Sequence, residues 1–315
     1  MGGGVVAIVE EPKPALPKGG LLIRTEASGL CSGELMSWYM DKKVPHVLGH
    51  EVAGIVEASE DERFPVGSRV FPHHHAPCLQ CEECRKANHV HCAQWKRTKL
   101  TPGGMAEYFA VGPENLSDTL IVDDLRPEDA ALIEPLACVV KSIRAGLARR
   151  DWFEKPAVIG LGVMGLMHAL SLDNVIAYDT NPQRVEWAKS IGIDARLPGA
   201  TEPADAIFVC PGSQAAFDFA YGFTQAVATI VMFAPLPPNE NLVVPQQAYF
   251  QDLTIAHSYS CGPDDTKAAA GLIRAGRLKY EQVISHVIGI DELPAAYLRM
   301  KNGEILKPMV VFDRA

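Results

Sequence analysis

Over the first 140 residues, apolar positions fall in short runs separated by proline and glycine: VVAIV and GLLIRT within residues 5–25, then VAGIVEA after Glu51, then residues 66–71. Runs of that length, bounded by turn residues, predict a mostly-β beginning. Residues 103–109 read as a turn into a further strand, and residues 127–132 open a helix. After Val139 the pattern changes. Residues 157–159 form an apolar strand, 160–165 a glycine turn, and Leu166 onward an apolar helix; a second strand, 175–178, ends on Asp179. Asn181-Pro182 starts a helix that stops before Gly192, with proline at its first position and glycine past its end. Strand-like segments recur at 206–210, 229–234 and 253–258, and 263–275 is the last strong helix. This alternation is the rhythm of a doubly wound parallel sheet. Residues 286–290 and 307–312 return to strands around a short helix at 293–300, so the end of the chain is expected to rejoin the first domain.

The glycine turn carries the first candidate chemistry. Gly160 makes the turn, Gly162 lets backbone approach a pyrophosphate, and Gly165 lets helix and strand pack closely. The helix start then offers unpaired N–H groups and a positive dipole end. Asp179, nineteen residues after Gly160, stands where a carboxylate accepts hydrogen bonds from an adenosine ribose. Strand before, helix after and acid beyond together point to a dinucleotide, which a glycine triplet alone would not.

Composition adds limits. At 315 residues the chain is long enough for two domains, and 48% hydrophobic with 21% charged residues is ordinary for a globular protein. A formal charge of −9, with no basic run, argues against nucleic acid as the main partner. No apolar run reaches membrane-spanning length, and the start, Met1-Gly2-Gly3-Gly4 into Val5, lacks the basic flank of a signal peptide. A cytoplasmic location is expected.

The eight cysteines are unevenly placed, with four crowded into Cys78, Cys81, Cys84 and Cys92. Clustering of this kind reads as metal binding rather than stapling. Four thiolates leave no position free, so the ion is structural, zinc or, alternatively, an iron–sulfur cluster. With that set complete, His73-His74-His75 just upstream reads as a solvated loop. Cys31, His50 and Glu51 offer a thiolate, an imidazole and a carboxylate near strand ends, which suits a zinc site with one position vacant. Equally open from these residues alone is a small buried cysteine beside a turn histidine. Glu134, beside a proline in apolar company, is expensive to bury unless paired. A metal, a helix cap or solvent exposure would each resolve it.

With these residues assembled, the chain resembles the zinc-dependent medium-chain alcohol dehydrogenases over nearly its whole length. The carriers are Gly29-Leu30-Cys31, the segment from Gly49-His50-Glu51 to Gly54, residues 66–70, the four-cysteine lobe, residues 104–108, Glu134-Pro135-Leu136, the glycine turn and the tail. Glu134-Pro135-Leu136 resembles the polyol (sorbitol) and threonine dehydrogenase branch. The resemblance implies an α/β protein: a GroES-like, mostly-β catalytic domain with a four-cysteine zinc lobe over 1–140, a Rossmann doubly wound domain over 141–280, and a return to the catalytic domain over 281–315. It implies a catalytic zinc on Cys31 and His50, with Glu51 and Glu134 supplying carboxylate oxygen directly or through water. Val163 and Met164 would present backbone N–H groups to the pyrophosphate. Asp179 would favour NAD by repelling a 2′-phosphate, with Arg184 packing over the adenine or, alternatively, helping NADP. The implied reaction is oxidation of a secondary alcohol (polyol, sugar or threonine-like) to a carbonyl, in a homo-oligomer, a dimer or tetramer, with no nucleic-acid or membrane partner.

Two departures stand out. Family members commonly carry Ser or Thr two residues after the zinc cysteine, and often a histidine three further on; this chain has Gly33 and Met36. Ser32 is the nearest hydroxyl, and no proton relay is assigned. The shortened loop after Cys31 contains Trp38 and Tyr39, either pocket lining or packing anchors. The departure at Gly33 motivates an alternative, an NAD(P)-binding zinc protein without turnover; a nucleic-acid zinc module is a third reading.

Overall fold

In the computed structural model, residues 5–312 are described; Met1–Gly4 and residues 313–315 lie outside the described residues. The strands, in chain order, are β1 (Leu21–Gly29), β2 (Glu51–Ser59), β3 (Arg69–Pro72), β4 (Leu100–Thr101), β5 (Tyr108–Val111) and β6 (Thr119–Ile121). There follow β7 (Pro156–Ile159), β8 (Ile176–Tyr178), β9 (Asp194–Arg196), β10 (Ala204–Val209), β11 (Thr224–Met232) and β12 (Thr254–His257), and last β13 (His286–Ile288) and β14 (Pro308–Val311). Contacts divide the chain into two compact units, Met1–Ala137 with Cys261–Ala315, and Cys138–Ser260.

The first unit is built on an eight-stranded sheet ordered β13-β14-β1-β2-β3-β6, with β5 pairing β1 and β4 pairing β5. All its pairings are antiparallel except β13 with β14. Leu21, Ile23, Val52, Val56, Val70, Phe109 and Val111 form one core cluster, which is why these short apolar runs become strands. The return of the chain end is therefore a strand addition: β14 lies directly against β1. One expected strand is absent. Residues 5–9 form none, and Val5 and Val9 are 93% and 65% exposed. Pro12, Pro14 and Pro17 follow at close intervals without N–H groups to donate to a ladder.

The second unit carries a six-stranded sheet ordered β12-β11-β10-β7-β8-β9, every pair parallel. The order reverses between β7 and β10, the point at which sheets of this kind bind ligands. Parallel strands are buried on both faces, and β7 and β10 are accordingly buried at every residue. Residues 261–280, expected in this unit, group with the first one instead. Trp95 Nε1 donates to the Cys261 carbonyl at 3.3 Å, Thr266 Oγ1 to Asp118 at 2.6 Å, and Arg274 pairs with Asp124 at 2.7 Å.

The glycine turn after β7 leaves no latitude at its first and last glycines. Gly160 has φ +86°, and a Cβ on Gly165 would stand 1.7 Å from the Gly160 carbonyl oxygen. Gly165→Ala is therefore expected to lower stability by about 1–3 kcal/mol, read by denaturant unfolding; an unchanged midpoint would contradict this packing.

Candidate metal and nucleotide sites

Strand register brings the first candidate ligands together. Gly29 on β1 pairs with Glu51 on β2 and with Met309 on β14. Continued past the strand ends, the same register sets Cys31, His50 and Lys307 at one end of the three-strand layer. The turn entering β2 depends on Gly49, whose φ is +95° and whose Cβ would collide with the Met105 backbone nitrogen. Its N–H donates to Glu34 Oε1 at 2.8 Å. In the result, one ligand atom from each of Cys31, His50 and Glu51 lies within 4.8 Å of the others.

Two residues that sequence reasoning did not single out hold this group. Glu34 is buried, accepts the Cys31 N–H at 3.2 Å, and stands 3.3 Å from His50 Nδ1. Burial would raise its carboxyl, but His50 and the two N–H donors outweigh that and hold it below the usual carboxylate range. Burial would likewise lower His50, yet the Cys31 and Glu34 charges raise it well above its ordinary value. The Cys31 thiol is pushed up by burial, against the pull of His50. The second residue is Lys307, 2% exposed, which pairs with the equally buried Glu51 and donates to the Leu30 carbonyl at 2.8 Å. The available signals were a carboxylate one short turn after Cys31 and a lone lysine heading the apolar run of β14.

Glu134 falls in a different group. Its carboxylate clusters with ring nitrogens of His73 and His74, again within 4.8 Å. Burial raises its carboxyl. The expectation of a solvated loop at His73-His74-His75 is corrected here. His73 is fully buried, its Nδ1 2.6 Å from the buried Asp118 carboxylate. The rings of His50, His74, His75 and Trp95 follow one another at centroid spacings of 4.8, 4.2 and 4.1 Å. Their sequence position beside the cysteine lobe gave no cue to that packing. Trp38 and Tyr39 are 40% and 42% exposed, and Tyr39 carries Lys43 over its ring.

The lobe itself fits a tetrahedral ion. Cys78, Cys81, Cys84 and Cys92 offer sulfurs within 4.8 Å of one another, with Cys81–Cys84 at 3.5 Å and Cys78–Cys84 at 3.9 Å. Metal–sulfur bonds of about 2.3 Å in tetrahedral geometry require S···S of about 3.8 Å. The Cys78 N–H donates to Cys92 Sγ and the Cys81 N–H to Cys78 Sγ, each at 3.4 Å. Such donors favour thiolates: burial opposes it, yet backbone N–H groups bring Cys92 down to about 6. The Cys31–His50–Glu51 set fits zinc as well, in a form with a position left open.

In the second unit, Gly162 caps the helix Val163–Ser171, and a Cβ there would meet nothing within 4 Å. Space therefore lies open before the helix start, as a pyrophosphate needs. Asp179 Oδ2 accepts the Leu161 N–H at 2.6 Å and Oδ1 the Asn181 N–H at 2.7 Å, so the carboxylate is fixed at the end of β8. Arg184 stands 3.8 Å from it.

Residues 17–120 match the alcohol dehydrogenase GroES-like domain. The chain is 29% identical to D-altritol 5-dehydrogenase of Agrobacterium fabrum, covering 92% of this chain and 91% of that one. It is 25% identical to L-threonine 3-dehydrogenase of Idiomarina loihiensis, over 96% and 94%. The fold is shared with galactitol-1-phosphate dehydrogenase from Escherichia coli, with a TM-score of 0.85 at 20% identity over 98% and 97% of the two chains. The chain is thus similar over nearly its whole length to the medium-chain alcohol dehydrogenases, with a GroES-like domain over residues 17–120 and a parallel α/β sheet of Rossmann type in its second unit. It is an enzyme of the alcohol and polyol dehydrogenase class. No helix among the described residues is long and apolar enough to cross a membrane.

The Glu51–Lys307 pair sets an expectation. In chelator-treated protein, Lys307→Met is expected to cost about 3–5 kcal/mol by leaving Glu51 buried and unpaired. Glu51→Gln combined with Lys307→Met should recover most of that loss in urea unfolding. A single variant as stable as the parent would contradict the pairing.

Proposed function

We propose that this enzyme oxidises a secondary alcohol (a polyol, sugar or threonine-like substrate) to a carbonyl by hydride transfer to NAD, with one catalytic and one structural zinc. The observation that carries the reading is the convergence of Cys31, His50 and Glu51 ligand atoms at one end of β1 and β2. When bound, zinc would polarise the substrate oxygen and NAD would accept the hydride, while the alcohol proton passes to solvent.

The chain's own residues prepare that chemistry. Glu34 engages the Nδ1 side of His50 and so turns the other ring nitrogen towards an ion. Lys307 neutralises one oxygen of Glu51 and leaves the second free. Glu134 supplies a further carboxylate, directly or through water. Gly33 offers no hydroxyl and Ser32 is exposed, so no proton relay is assigned. Gly160, Gly162 and Gly165 admit the pyrophosphate, and the N–H groups of Val163 and Met164 meet it. The Asp179 carboxylate receives the ribose and opposes a 2′-phosphate, which supports NAD over NADP. The relatives named above support a polyol or threonine-like substrate. We further infer a cytoplasmic homo-oligomer, a dimer or tetramer; the free cysteines agree with a reducing compartment.

Chelator dialysis, or Cys31→Ser, is expected to reduce NAD reduction by about a thousandfold with polyol, sugar or amino-alcohol substrates while NADH binding survives. Undiminished turnover in verified zinc-free protein would refute the catalytic zinc. Tight NADH binding by the zinc-loaded protein, without turnover of any substrate in such a panel, would favour a nucleotide-binding protein instead. Asp179→Asn should narrow the preference for NAD over NADP by about tenfold in kcat/KM, corresponding to about 1.4 kcal/mol; an unaltered ratio would remove Asp179 from cofactor selection.

A further inference from the structure

The chain has a formal charge of −9, yet the two loops that meet beside the Cys31–His50–Glu51 group are basic. Residues 41–48 carry Lys42 and Lys43 against Asp41, and residues 93–105 carry Lys96, Arg97 and Lys99 with no acid at all. The first loop runs directly into His50. The second is fastened to it: the Gly104 N–H donates to the Gly49 carbonyl at 2.7 Å and the Met105 N–H to the Leu48 carbonyl at 2.8 Å. A Cβ on Gly103 would stand 2.5 Å from the Val47 carbonyl oxygen, so the backbones are in contact. Lys99 follows Thr98, whose carbonyl accepts His75 Nδ1 at 2.8 Å, and the His75 ring leads through His74 to His50. Burial lowers His46 and His75, and the Lys43 charge lowers both further; Lys99, from the other loop, also lowers His46. The two ammonium groups therefore act on one shared space.

Elsewhere in this unit the surface cations are matched by acids, as in Arg63–Asp61, Arg69–Glu26, Arg126–Asp129 and Arg274–Asp124. Lys42, Lys43, Lys96, Arg97 and Lys99 are all exposed, and none has an ion-pair partner among the described residues. Lys43 is held instead with its Nζ 3.7 Å from the centre of the Tyr39 ring, an attraction that leaves its charge uncompensated. Concentrated positive charge of this kind on an acidic protein raises the local concentration of anions.

We propose that these two loops form an anion subsite, and that the alcohol oxidised beside Cys31 and His50 is a polyol carrying a terminal phosphate. The inference rests on the secondary-alcohol reading above and narrows it to one substrate class. Lys43 and Lys99 are the two that meet the phosphate, while Lys42, Lys96 and Arg97 add to the field around it. A phosphate monoester carries close to two negative charges at neutral pH and three acceptor oxygens, so it can engage two lysines at once. A carboxylate offers one charge and suits one of them.

The test uses the full-length, zinc-loaded chain with NAD and three matched sets of substrates: sorbitol and galactitol, their terminal phosphate esters, and the corresponding hexonates. The value of kcat/KM for a phosphate ester is expected to exceed that of its parent hexitol by about a hundredfold, with the hexonate between them. Raising sodium chloride from about 50 to about 300 mM should shrink that ratio. Lys43→Met combined with Lys99→Met should lower it by about tenfold or more, whereas Lys43→Arg combined with Lys99→Arg should preserve it. A ratio near one, a ratio unchanged in the folded methionine variant, or a hexonate used better than the phosphate ester would overturn the proposal. If no member of the panel is turned over, titration calorimetry with the sorbitol phosphate ester decides. Binding that the methionine variant loses would retain the anion subsite while the catalytic reading fails; absence of binding would overturn the subsite as well.

Discussion

A charged side chain removed from water must meet an opposite charge, several hydrogen bonds or a metal ion, and the strand-rich unit is arranged around that requirement. Glu51 and Lys307 are both buried beyond the reach of solvent and meet each other; Glu34 meets His50 and two backbone N–H groups. The partners come from distant parts of the chain, and β1 brings them together by pairing with β2 on one side and β14 on the other. The C-terminal strand is thus more than an edge added to a sheet. It delivers the cation that lets a carboxylate sit beside Cys31 and His50 in the protein interior.

Donor chemistry separates the two kinds of metal position proposed for the cysteine lobe and the Cys31 group. Four sulfurs, with Cys81–Cys84 at 3.5 Å and Cys78–Cys84 at 3.9 Å and N–H donors from the same loop, would enclose an ion completely, which suits the structural role proposed for it. One sulfur, one imidazole and one carboxylate at strand ends leave a coordination position vacant. The lobe is tied to the remainder of its unit through Trp95, which donates to the Cys261 carbonyl and stacks on His75.

Much of this was legible in the sequence because it is local. The glycine turn, its flanking strand and helix, and Asp179 lie within one βαβ unit, where spacing alone fixes geometry. The four cysteines span fifteen residues and had to cluster. Cys31 and His50 were legible as candidates because each stands next to a strand that the apolar pattern marks. What stayed hidden depends on pairing between remote segments. Lys307 becomes meaningful only once β14 lies against β1, and His73 only once Asp118 and Thr266 surround it. Residues 5–9 misled for the opposite reason: their apolar pattern suits a strand, but no partner edge receives them. The helix Pro263–Arg274 reads as one more crossover of the parallel sheet, whereas its polar contacts attach it to the first unit.

The central claim is that Cys31, His50 and Glu51 converge to hold a zinc ion. Diffraction from crystals of the full chain grown with zinc, recorded on both sides of the zinc absorption edge, tests it most directly. The expected result is an anomalous peak bounded by the sulfur of Cys31, a ring nitrogen of His50 and a carboxylate oxygen of Glu51. A strong peak in the four-cysteine lobe with none beside Cys31 would contradict it.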